Sequence, residues 1–157
     1  MKFTAMVLFV LALFSCDNAK KDGQNTTSES AVELIEGYFP KNDIAFSQPV
    51  KIITTDNKLD FDHYFGVAKT MTNSITAIDF DKYKIVSLIA KPSNKEQTIK
   101  IIETKLKNNK LAINYKLEIG AEQSFSSTDL KMFKVPISVY AIDVYSDEGN
   151  ELPKTEY

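Results

Sequence analysis

Apolar and polar residues are spaced in several different ways along this chain, and each spacing predicts an element. The first is a nearly continuous apolar run from Phe3 to Phe14, preceded by Lys2 and followed by Ser15 and Cys16. Asp17 to Ser30 then holds no large apolar side chain. Such a stretch buries too little surface to offset the entropy of ordering it, so it reads as a flexible tether. Random-coil scaling gives its roughly 14 residues a span of about 20 Å. Ala31 to Phe39 fits neither the helical nor the strand period, and a first strand is placed over Tyr38 to Phe46, interrupted at Pro40. Val50 to Thr54 is a short strand. A helix follows: Asp56 caps it, Leu59, Phe61, Tyr64 and Phe65 form its apolar face, and Gly66 stands at its C-cap.

Tyr83 to Ala90 is apolar on both sides, with Val86, Leu88 and Ala90 on one face and Tyr83, Ile85 and Ile89 on the other. A strand buried on both faces belongs in the middle of a sheet or between layers. Leu111, Ile113, Tyr115, Leu117 and Ile119 alternate strictly with Ala112, Asn114, Lys116 and Glu118, the pattern of a half-buried strand. Asn108 and Asn109 just before it suit the positive φ angles of a two-residue hairpin turn, so Thr98 to Lys107 is predicted to pair back antiparallel. In that register Leu106 faces Leu111 and Thr104 faces Ile113, but Lys100 would meet Leu117. A bulge at Ile101–Ile102 returns Ile99 and Ile101 to the core face.

Ala121 to Asp129 is polar and reads as a loop, within which Phe125 is placed as a short strand or plug. Val135 to Tyr145 is β-branched and aromatic and is expected to be the longest strand, with Pro136 at its start. Asp147 to Asn150 turns the chain into a polar tail. Together these elements predict an α+β domain, mainly antiparallel β, built as a sandwich or half-barrel with one short helix packed on the sheet.

The length of the opening run decides where that domain works. A membrane-spanning helix needs about 20 apolar residues to cross roughly 30 Å of hydrocarbon. Twelve or so reach only about 18 Å. The run fits instead the centre of a secretory signal. Leu13-Phe14-Ser15-Cys16 has the shape of a lipoprotein cleavage site, which makes residues 1–15 the signal peptide and Cys16 the lipidated residue. Residues 16–30 are then the acylated cysteine and tether, and 31–157 one β-rich domain. Cys16 is the single cysteine. Once it is acylated the domain has no disulfide, no thiol nucleophile and no thiolate ligand, and its core is held by packing alone.

Charge narrows the choice of partners. Lys2 leaves with the signal, so 18 lysines face 21 acidic residues, and the mature chain lacks the positive excess that nucleic-acid binding requires. Arginine is absent, and with it the planar fork that grips phosphate or carboxylate bidentately. Lys91, Lys95, Lys105, Lys107 and Lys110 are scattered over predicted surface without an aromatic ladder on which bases would stack.

Candidate chemistry is sparse. His63, the sole histidine, falls in the last turn of the predicted helix, where an imidazolium meets the helix dipole favourably. Asp60 and Asp62 flank Phe61, and Asp79 and Asp81 flank Phe80. Neither spacing supplies the six to eight oxygens, in a dense loop, that calcium takes, and Phe80 reads as a core anchor. Ser124, Ser126, Ser127 and Thr128 include possible nucleophiles but lack the glycine-flanked elbow. No catalytic residue, metal site or cofactor is assigned.

Gly37-Tyr38-Phe39-Pro40-Lys41-Asn42, Phe61 to Ala68 with Met71, Ile78-Asp79-Phe80, Val86 to Ala90, Asn114-Tyr115-Lys116 and Gly120 to Phe125 together resemble a family of small secreted proteins and lipoproteins of Bacteroidota. That resemblance covers most of the mature chain and implies an envelope location and a compact mixed fold, with no activity attached. Asp79-Phe80 before an apolar strand also resembles, at fold level, the C-terminal domain of a protease-complex accessory subunit. Where that family carries a glycine-glycine-tyrosine turn, this chain has Lys91 to Lys95.

The expectation is a membrane-anchored envelope lipoprotein, with the outer membrane favoured, that contacts a protein partner without catalysis. The alternative is an accessory subunit or inhibitor of an envelope protease, presenting Lys91 to Thr98 or Gly120 to Thr128.

Overall fold

The computed structural model describes residues 32–68 and 75–147. The expected signal, Cys16, the tether, Met71 and the tail past Asp147 lie outside them. Strands make up 63% of the described chain, so strand pairing sets its shape. In order these are β1 (Glu33–Ile35), β2 (Tyr38–Pro40), β3 (Val50–Thr55), helix α1 (Lys58–Tyr64), β4 (Phe65–Val67) and β5 (Tyr83–Ala90). β6 (Ser93–Lys107), β7 (Lys110–Ser127), β8 (Leu130–Pro136) and β9 (Ala141–Ser146) follow.

β5 is the hinge of the architecture. It lies inside a four-stranded antiparallel sheet of order β1-β8-β5-β3, and its two apolar faces serve two cores. Val86, Leu88 and Ala90, with Val50, Phe133 and Val135 of neighbouring strands, face Ile99, Leu111, Ile113, Tyr115, Ile142 and Val144 of a second sheet, β6-β7-β9. Ile85 and Ile89, with Ile35, Ile53 and Met132, face Phe61 of α1 and Phe65 of β4. The fold is therefore an α+β sandwich with a third layer made of α1 and the small sheet β2-β4. Phe61 centres that layer, with its ring 5.0 Å from Tyr38, 5.1 Å from Phe65 and 5.7 Å from Phe80. Phe80 is thus an anchor of this core.

The hairpin register follows the side-chain pattern. Asn108 and Asn109 take φ of 52° and 56°, and Leu106 pairs with Leu111 and Thr104 with Ile113. The shift falls between Ile101 and Glu103. Ile101 pairs with Tyr115, Ile99 pairs with Leu117, and Ile102 stands out at 53% exposure.

Several local expectations are corrected. The N-cap is Asn57, which accepts from the Asp60 N–H, and not Asp56; the C-cap is Phe65, and Gly66 lies in β4, paired with Phe39. Tyr38–Pro40 is a strand, but 41–46 is not, and Glu33–Ile35 adds a short strand beside β8. β6 begins at Ser93, five residues before the expected Thr98. Residues 121–127 are strand and not loop, which makes β7, at 18 residues, the longest strand.

Val135–Tyr145, finally, is broken in two. Pro136 closes β8, the Val139 N–H donates to the Pro136 C=O (3.0 Å), and the Tyr140 N–H donates to the Asn109 C=O (3.0 Å), which hands the chain to the other sheet. The buried Lys84 ammonium donates to the Val139 C=O (2.7 Å) and pins this crossing. β9 then pairs parallel with β7, with β8 in the facing sheet serving as the crossover a parallel pair needs.

Candidate functional site

The sequence-nominated groups are spread over separate parts of the fold and mostly serve it. His63 is exposed in the last turn of α1, its ring against Tyr64 (4.7 Å). Asp60 takes the Asn57 side-chain amide (2.7 Å) at the helix start, and Asp62 pairs with Lys58 one turn back. Asp79 accepts from the Asp81 N–H (3.1 Å) and from Lys82 (3.0 Å). The hydrogen bond from Lys82 holds its carboxyl below the usual aspartate range. Tyr38, whose hydroxyl donates to the Thr76 C=O (2.8 Å), is shifted up by burial. Among the described residues no group of three or more His, Cys, Asp or Glu could hold a metal.

One place does gather nominated residues. β5 and β8 are paired up to Ile89 and Leu130, and β6 and β7 take up the pairing again at Ser93 and Ser127. The four strands are thus one long ribbon, bent at residues 91–92 and 128–129 where it passes from one sheet to the other. Lys91–Thr98 and Gly120–Thr128, separate in the sequence expectations, are the two sides of this bend.

The bend is irregular by construction. From Ser93 to Lys95 on β6, β7 runs from Ser127 to Glu122, and from Lys95 to Gln97 it runs from Glu122 to Ile119. The surplus in β7 arches outward over 123–126 and carries Phe125, 62% exposed. The Ser127 hydroxyl donates to the Gln123 side-chain oxygen (3.1 Å), a neutral amide acceptor that takes no proton. Ser124 and Ser126 are exposed on the arch. Thr128 donates its hydroxyl to the Ala90 C=O, a structural contact.

Asp129 holds the bend together. One carboxylate oxygen accepts from the Ile99 N–H of β6 (2.6 Å), and the other accepts from the Leu130 N–H (2.9 Å) and from Lys131 (3.3 Å). Its C=O accepts from the Ala90 N–H (2.9 Å). The Lys91 N–H donates to the Pro49 C=O (2.8 Å), and the Gln97 side chain donates to the Lys91 C=O (3.1 Å).

Beside this stitched corner lies a groove of about 410 Å³, within the range of about 300–1,000 Å³ typical of ligand sites. Its floor is Leu117, Ile119 and Gln97 of the ribbon; its walls are the 47–49 loop and Lys91, Pro92 and Ser93. Ile119 is 55% exposed. Leu117 and Ile119 carry on the face that Leu111, Ile113 and Tyr115 bury: Leu117 is half-buried and packs at the rim of that core, beside the ends of the facing strands at Val50 and Ala90, and Ile119 lies one step further out and is exposed. Sequence reasoning placed both in the strand but not in a groove, and it missed Asp129 and the 47–49 wall. The available signals were Pro49 and Pro92 flanking Val50–Ala90, and an apolar alternation ending one residue before Gly120.

No family model, curated protein or solved structure matches the chain.

Proposed function

We propose that this chain is an envelope lipoprotein, acylated at Cys16 and tethered through residues 17–30 to a membrane, with the outer membrane favoured, whose domain binds a partner protein without catalysing a reaction. The observation that carries the reading is the ribbon bend. It joins a groove with an apolar floor to two large exposed apolar side chains of β7, Ile119 and Phe125, at a corner where the Asp129 carboxylate ties β6 at Ile99 to the start of β8 at Leu130. Apolar surface kept rigid and exposed in this way marks interaction sites.

The test is a photo-crosslinking residue placed at Phe125 or Gln48 in intact cells, with Lys58 on the far layer as control. A discrete envelope protein captured from the first two positions and not from the third is the expected result. No capture from any position would overturn the reading. A Cys16→Ser chain is expected to leave the membrane fraction.

A second reading, an accessory subunit or inhibitor of an envelope protease, draws on the same surface, because the two segments it nominates pair with each other there. A protease as the captured partner would select it; any other protein would select the first.

A further inference from the structure

The edge of β7 beside the groove says more about what would bind there. In an antiparallel pair, directly opposed residues either exchange both backbone bonds or turn both sets outward. Ile99 turns its N–H outward to Asp129 (2.6 Å), so Leu117, opposite it, turns its own N–H and C=O to the far side of β7. Tyr115 has the same phase, its C=O accepting from the Asp147 N–H (2.8 Å). Ile119, opposite Gln97 in an unbroken register, follows.

β9 occupies this side of β7 only as far as Tyr115. Beyond it the outward groups of Leu117 and Ile119 meet no backbone partner among the described residues. These same two residues floor the groove with their side chains. Of the groove's described lining residues Lys91 alone is charged, and it has no ion pair among the described residues.

Resting on the binding-module reading above, we infer that the partner is held by strand addition: an extended peptide segment pairs with β7 at Leu117 and Ile119, sets an apolar side chain into the groove and brings an acidic group to Lys91. Backbone edge, apolar floor and lone ammonium each select one part of that chemistry.

The experiment pans a random linear peptide library against the full chain purified in detergent, with Ile119→Pro as counter-selection and Ile119→Val as control. Proline removes an outward N–H at an edge, where it is tolerated; valine keeps it. Enriched peptides are expected to alternate apolar residues and to carry an acidic one. N-methylating alternate amides of such a peptide should weaken binding about tenfold or more, since two or three backbone bonds are lost. Binding should slow hydrogen exchange at the Leu117 and Ile119 amides, and Lys91→Glu should weaken it about fivefold.

Peptides indifferent to N-methylation, or no enrichment over Ile119→Pro, would overturn the inference. So would Leu117 and Ile119 amides already protected in a dimer of the chain. If the library fails while position 125 still captures a partner in cells, strand addition falls and the binding-module reading stands. If both fail, the reading itself falls.

Discussion

The two ends of the β6–β7 ribbon are made of the same kind of ladder and behave differently. Toward the Asn108–Asn109 turn, pairs from Leu106–Leu111 to Ile101–Tyr115 depart from regularity only at the single bulge. Leu111 and Ile113 are fully buried there against the facing sheet. Toward the bend the pairing slips twice within a few residues, β7 arches, and Ile119 and Phe125 stand in solvent.

Hydrogen bonds are available at both ends, so they are not what enforces register. Burial does: a one-residue slip near Leu111 would turn its core residues outward, whereas a slip near Glu122 exchanges one exposed side chain for another. Freed from that constraint, the bend holds its course through Asp129 and the links from Pro49 and Lys91, and of its apolar floor Leu117 is half-buried and Ile119 exposed.

The largest expected contrast pairs one substitution at each end. Ile113→Ala should cost about 2–5 kcal/mol of unfolding free energy in urea titrations, because it opens a cavity in a closed core. Ile119→Ala should cost less than about 1 kcal/mol, since its side chain is largely in water already. Equal costs would erase the distinction.

Next in size is Asp129→Ala, expected to cost about 1–3 kcal/mol by leaving the Ile99 and Leu130 amides without their acceptor. In hydrogen exchange the loss of protection should centre on the bend and spare the turn-end amides of β7. Uniform loss would mean that Asp129 supports the whole sandwich.

A smaller effect belongs to the turn itself. Asn108→Ala should cost about 1 kcal/mol, because alanine lacks the local hydrogen bonding that makes positive φ tolerable; thermal melts of variant and parent read it. Smallest is Gly120→Ala at the bend. The added Cβ would lie 2.9 Å from a Glu96 carboxylate oxygen and 3.1 Å from the Glu96 Cβ. The carboxylate can swing aside, but the Cβ moves only with its strand, so the change should cost about 0.5 kcal/mol.

Where burial acts on nearest neighbours, the sequence was a good guide. The two faces of Tyr83–Ala90 foretold a strand between two cores. The phase change at Ile101–Ile102 foretold the bulge, and Asn108–Asn109 foretold the turn. Polar residues 121–127 concealed a strand because their partners are the equally polar 93–97, and pairing without burial leaves no period. Val135–Tyr145 concealed a break because both halves face the same core. Its sign was the phase flip from Val135 and Val139 to Ile142 and Val144.

The candidate site was half legible for the same reason. Lys91–Thr98 and Gly120–Thr128 were each nominated, but no local pattern states that they pair or that residues 47–49 wall the groove. The chain's own patterning determined the sandwich class, the central strand and the hairpin register, because each follows from which side of a strand must avoid water. Only the tertiary structure decided where the shared core stops, with Leu117 half-buried at its rim and Ile119 exposed beyond it. That depends on the relative reach of strands far apart in the chain, and it turns two ordinary core-patterned residues into the floor of a groove and an edge without a backbone partner among the described residues.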